Sequence, residues 1–89
     1  MIISFTPNGW DDYSFWQQQD PQVLNKINEL IKDISRDPFN GIGKPESLRG
    51  NLKGYMSRRI TGEHRLVYRV SGVRPDQTIT IIKARFHYE

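Results

Sequence analysis

Eighty-nine residues without cysteine make one small domain, residues 1–89, in which disulfides and cysteine-based zinc sites are excluded. A chain this short buries only about two thirds of the surface its unfolded form exposes, so its core is thin. No apolar run reaches the roughly 18 residues of a membrane span, and Met1–Phe5 passes too quickly into polar sequence for a signal peptide, so a soluble cytoplasmic protein is expected. The net charge of +3 is unevenly spread: residues 1–40 carry three basic and six acidic groups, residues 41–89 ten basic and four acidic. The C-terminal half should therefore carry the positive potential that attracts phosphates.

Ile2, Ile3 and Phe5 read as a first strand. Thr6-Pro7 has the form of a helix cap followed by proline at the first helical position. Trp10, Tyr13 and Trp16 recur at three-residue steps and suggest an aromatic helix face turned to the core. Asp20-Pro21 repeats the start signal, and Val23, Leu24, Ile27, Leu30, Ile31 and Ile34 follow the spacing of an apolar helix stripe. Asp37-Pro38 ends that helix, because a residue before proline avoids helical angles.

Residues 39–54 are rich in glycine, with one short extended piece at Glu46–Leu48. Strand-like runs follow at Tyr55–Ile60, Arg65–Val70 and Thr78–Phe86, joined by a turn at Thr61–His64 and a longer loop at Gly72–Gln77. The expected architecture is α+β, in the order β-α-α-β-β-β. An N-terminal strand and a helical hairpin pack on a mainly antiparallel sheet, whose other face is left to basic residues.

The chain has two histidines, His64 and His87, as neutral-pH proton carriers. If the last strand persists to the end, alternation sets Arg85 and His87 on one face and Phe86 and Tyr88 on the other. Arg59, Arg65 and Arg85 could then join His87 in a cationic concave face suited to phosphate, or form an ordinary solvated one. Arg58 and Arg59 must point to opposite faces, so one of them should sit at an edge or pair with a carboxylate. Glu46, one of four acids in the basic half, is either a salt-bridge partner or a proton acceptor. Gly41-Ile42-Gly43-Lys44 lacks the serine or threonine of a phosphate loop, since Pro45 follows. Glu63-His64 has no second ligand nearby, so no metal site is expected.

Several segments, in one order, carry a family resemblance. These are Trp10-Asp11-Asp12-Tyr13, Lys26 to Asp33, Gly43 to Leu48, Asn51 to Gly54, Ser57 to Ile60, His64 to Tyr68 and His87-Tyr88. Together they resemble the YoeB/Txe branch of the RelE superfamily over nearly the whole chain. The resemblance implies a RelE-like, microbial-ribonuclease-like fold. It implies an endoribonuclease toxin of a type II toxin–antitoxin system that enters the ribosomal A site and cuts messenger RNA without metal or cofactor.

Carried over by residue, Glu46 is the proton acceptor, His87 the proton donor and Arg65 the cation that supports the transition state, with Tyr88 completing the site. Lys44, Arg49, Lys53 and Arg59 match basic positions of the RNA- and ribosome-binding face. The implied partners are a YefM/Axe-like antitoxin, the 70S ribosome with its messenger and, for the toxin–antitoxin complex, operator DNA; a homodimer is compatible, and a membrane is not expected. The competing reading is a non-catalytic basic module that binds nucleic acid or an acidic partner. Three departures from the family pattern stand out: Met56 where tryptophan is common, a longer loop at Ser71–Gln77, and Glu89 after the His-Tyr pair.

Overall fold

A computed structural model describes residues 1–87; Tyr88 and Glu89 lie outside the described residues. Strand β1 (Ile2–Phe5) leads into helices α1 (Pro7–Gln19) and α2 (Pro21–Arg36). After a loop come β2 (Glu46–Ser47), a 3-10 turn (Gly50–Leu52), β3 (Tyr55–Arg59), β4 (Arg65–Ser71) and β5 (Thr78–Lys83). The five strands form one sheet in the order β1-β5-β4-β3-β2. β1 runs parallel to β5, and the other neighbours are antiparallel. The α+β architecture and the helical hairpin thus agree with the sequence reading. No helix among the described residues is long and apolar enough to cross a membrane.

Local chemistry fixes the hairpin. The Thr6 hydroxyl accepts from the Gly9 amide at 3.1 Å and starts α1. Asp20 ends one helix and begins the next: its amide donates to the Trp16 carbonyl at 3.1 Å, while its carboxylate accepts from Gln22 and Val23. Gly9 lets α1 approach the sheet, because a Cβ there would stand 2.2 Å from the Ile81 carbonyl oxygen.

One sheet face meets the helices. Register and alternation bring Met56, Leu66, Tyr68, Ile79 and Ile81 onto it, against Trp16 and the Ile27, Leu30 and Ile34 stripe of α2. The aromatic face of α1 is only partly core: Trp16 is buried, whereas Trp10 is 51% exposed and stacks on Tyr13. At about 100° per residue, three-residue steps drift about 60° each, so Trp10 and Trp16 diverge by about 120° around the helix.

Arg58 also points into this inner face and is fully buried. Its Nη1 donates to the Asp33 carboxylate at 2.5 Å and the Ile42 carbonyl at 3.1 Å. Nη2 donates to the carbonyls of Asp37 and Asn40, and Nε to the Tyr68 hydroxyl at 3.1 Å. That hydroxyl donates onward to the Pro38 carbonyl at 2.6 Å. Of the two adjacent arginines, Arg58 is therefore the one paired with a carboxylate, and Arg59 stays exposed. Burial raises the Tyr68 phenol above its usual range, which keeps it a donor. The Phe39 amide, ahead of the Asn40 groups, lowers Asp37.

The last strand is shorter than expected. It ends at Lys83 instead of Phe86, and Phe86 has a left-handed backbone (φ 64°) and is 50% exposed. Arg85 leaves the expected cationic face: its guanidinium lies over the Phe15 ring of α1 at 3.6 Å.

Two outcomes test the inner network. Tyr68→Phe should cost about 1–3 kcal/mol, because a buried N–H and a buried carbonyl lose their partner; an unchanged urea midpoint would show that the hydroxyl contributes nothing. Arg58, foremost, and the Ile42 amide lower the Asp33 carboxyl from 3.8 to about 2. Because the folded value lies below the unfolded one, this stabilisation is present above pH 4 or so and fades as pH falls toward about 2. Denaturation midpoints across that window should decline in the parent chain, and the share due to Asp33 should vanish in Asp33→Asn.

Candidate functional site

The opposite sheet face carries the candidate groups. Register pairs Glu46 with Ser57, Arg59 with Arg65, and Val67 with Lys83. Alternation along each strand puts Glu46, Ser57, Arg59, Arg65, Val67 and Arg69 on this side. Its floor is closed, since Ser57 and Val67 are buried; Arg59, Arg69 and Glu46 are exposed. The Cα atoms of Glu46 and Arg65 are two strand spacings and two residues apart, about 12 Å, a span that two long side chains can bridge around a phosphodiester.

Arg65 is held rigidly. Its Nη1 donates to the carbonyls of Thr61, Gly62 and His64 at 2.9, 3.2 and 3.1 Å, and the residue is only 7% exposed. The turn is itself organised by the Thr61 hydroxyl, which accepts from the amides of Glu63 and His64. Tethering through one nitrogen fixes the guanidinium plane before any ligand arrives, which is the condition under which a cation stabilises developing charge most effectively.

The C-terminal segment approaches the same residue. The Arg65 amide donates to the Phe86 carbonyl at 3.1 Å, so His87 follows directly after the residue bonded to Arg65. His87 is exposed. Tyr88, the fourth expected member of the site, lies outside the described residues.

The expected basic positions line the rest of this edge. The Gly43 carbonyl accepts from the Arg59 amide at 2.7 Å, which brings Lys44 beside the Arg59 end of β3. Gly43 (φ 79°) and Lys44 (φ 52°) are both left-handed, and this sharp bend turns the incoming loop into β2. Arg49 and Lys53 flank the 3-10 turn at the other end of β3. Lys44, Arg49, Lys53 and Arg59 are all exposed. Four residue steps lead from Tyr55 to Arg59, about 14 Å of strand. The cations thus mark the two ends of a track with Glu46 between them. Among the described residues, no three His, Cys, Asp or Glu side chains stand together in a way that could hold a metal ion.

Sequence reasoning named His64 as a proton carrier and an unpromising metal ligand but gave it no structural partner, yet its ring is 4.8 Å from Trp16 and its Nδ1 accepts from the Phe86 amide. It also missed Asp12, whose carboxylate accepts from the Ala84 amide at 3.0 Å, and the indole of Trp16, which donates to the Ala84 carbonyl at 2.8 Å. The available signal was Trp16 itself: a buried indole N–H needs an acceptor.

Residues 5–88 match the family described as the YoeB-like toxin of bacterial type II toxin–antitoxin systems. The chain is 55% identical to the toxin YoeB of Synechocystis over 89 residues, covering 100% of this chain and 99% of that protein. A YoeB/ParE toxin from Agrobacterium tumefaciens superposes with a TM-score of 0.94 at 53% identity, covering 99% of this chain and 100% of that one. YoeB from Staphylococcus aureus, solved as a dimer and in complex with YefM, superposes with a TM-score of 0.87 in both forms. Those identities are 48% and 47%, with 99% of this chain and 98% of that one covered. The chain therefore belongs to the YoeB-like toxins of bacterial type II toxin–antitoxin systems.

Proposed function

We propose that this toxin is a ribosome-dependent endoribonuclease that cuts messenger RNA in the A site by acid–base catalysis, independently of metal. The observation that carries the reading is the shared sheet face of Glu46, Arg59 and Arg65, with the Phe86 carbonyl bonded to Arg65 one residue before His87.

RNA supplies its own nucleophile, the 2′-hydroxyl. Glu46 removes its proton as the oxygen attacks the adjacent phosphorus. Arg65 stabilises the charge that gathers on the non-bridging oxygens. His87 protonates the departing 5′-oxygen, and Tyr88 helps complete the site. The products are a 2′,3′-cyclic phosphate and a 5′-hydroxyl. Each proton-transfer role typically contributes ~10²–10⁴-fold. Lys44, Arg49, Lys53 and Arg59 hold the RNA and ribosomal phosphates; a ribosome that already bends the message in line reduces what Glu46 must supply.

A YefM/Axe-like antitoxin neutralises the toxin in this reading, and the complex represses its own operator. The Staphylococcus aureus YoeB–YefM complex supports the first of these, and the YoeB dimer from that organism supports a homodimer. Cytoplasmic action follows from the ribosomal substrate.

Primer extension of a reporter message after induction should map cuts to stalled ribosomes. Glu46→Ala and His87→Ala should each lower the single-turnover rate on programmed ribosomes ~10²-fold or more while ribosome binding is retained; wild-type cleavage by both would overturn the assignment. Arg65→Lys should also be strongly impaired, because a point charge does not replace a fixed planar fork. Cleavage should persist in excess EDTA when ribosome integrity is preserved by polyamine; loss of activity that magnesium restores would contradict the mechanism.

A further inference from the structure

The segment that carries His87 is not part of the sheet. β5 ends at Lys83, and the backbone beyond it is gripped at two points. At Ala84, the amide is held by Asp12 and the carbonyl by the Trp16 indole, both from α1. At Phe86, the carbonyl accepts from the Arg65 amide, and the amide donates to His64 Nδ1 at 2.8 Å. Residues 64 and 65 thus clasp both peptide groups of the residue preceding His87. The clasp is needed because Phe86 is a bulky residue in the left-handed region, which it does not adopt without support.

A backbone N–H can only donate, so Nδ1 must present a lone pair. The imidazole of His64 is therefore neutral in this arrangement, with its proton on Nε2, which faces Glu63 Oε1 at 3.5 Å. The ring is fixed from both sides, edge-on to Trp16 at 4.8 Å and tilted against Phe86 at 5.7 Å, and its side chain is only 13% exposed. Of the chain's two histidines, one is in this way built into the support of the other.

We propose that His64 is a positioning residue for the reaction. Its Nδ1 acceptor holds the left-handed turn at Phe86, and that turn sets where His87 meets the leaving oxygen. The inference rests on the role given above to His87 as proton donor.

Two substitutions separate the acceptor from the ring. His64→Phe keeps the aromatic packing on Trp16 and removes the acceptor. His64→Asn keeps an acceptor near the position of Nδ1 and loses the ring. Single-turnover cleavage on programmed ribosomes should fall at least tenfold in His64→Phe with ribosome binding and melting temperature close to wild type. His64→Asn should regain most of the rate although it melts lower. Rates that follow the order of melting temperatures would make His64 merely structural and overturn the proposal, as would wild-type cleavage by His64→Phe.

Adding His64→Phe to His87→Ala should cost nothing further, since there is no proton donor left to position; an additional tenfold loss in the double variant would contradict the idea. Should His64→Phe fail to fold, the wild-type chain still decides the matter. Nitrogen chemical shifts must report the Nε2–H tautomer, and the Phe86 amide must be protected from exchange. The Nδ1–H tautomer or an unprotected amide refutes the clasp. If His87→Ala itself cleaves normally, the proton-donor assignment fails, whereas the tautomer and the amide protection test the clasp independently.

Discussion

A fully buried guanidinium governs the layout of this small protein. Arg58 sits on the inner face of the sheet, where an unpaired charge would be prohibitive. It is neutralised by Asp33 of α2 and donates to three carbonyls of the 37–42 segment. Tyr68 adds a second tie from the neighbouring strand to Pro38. In a thin core these bonds do what further apolar burial would do in a larger domain: they fasten the loop that leaves α2 onto the sheet. That loop then turns at Gly43 and Lys44 into the edge strand bearing Glu46. The buried arginine on one face thereby fixes the acid on the other, through a segment with little regular structure of its own.

The site end of the molecule follows a similar logic with different chemistry. Arg65 spends one nitrogen on three turn carbonyls, so its orientation is set by the hairpin that follows β3. The chain after β5 is set by side chains of α1 and by residues 64 and 65. Strand pairing would have imposed alternation on residues 84–87. Side-chain tethers impose a left-handed turn instead. Arg85 consequently joins the aromatic surface of α1, and the cationic face is composed of fewer arginines than alternation suggested.

Two of the departures from the family pattern acquire a physical meaning. Met56 is buried and pairs in register with Tyr68 on the inner face, so the exchange of an aromatic there concerns packing of the core. The long loop between β4 and β5 is exposed over residues 71–76 but tied at two points: Arg74 donates to the Arg36 carbonyl at the end of α2, and the Gln77 carbonyl accepts from the Ile2 amide. A cation on the last carbonyls of α2 also favours the helix dipole.

Much of the fold was legible in the sequence. Both helix starts are written in Thr6-Pro7 and Asp20-Pro21, and the apolar spacing of α2 dictates its buried stripe, because caps and periodicity are local. That Arg58 and Arg59 face opposite ways was also legible, with an edge position or a carboxylate partner as the two outcomes; that Arg58 is the paired one and Asp33 its partner was not. The family motifs pointed to Glu46, Arg65 and His87. What the sequence could not contain is the end of β5. Nothing local to Ala84–His87 forbids a continuing strand; the competing acceptors and donors come from residues 12, 16, 64 and 65, distant in the chain. Local chemistry therefore determined the elements, while long-range hydrogen bonds that exist only after packing decided the path of the segment that leads to His87.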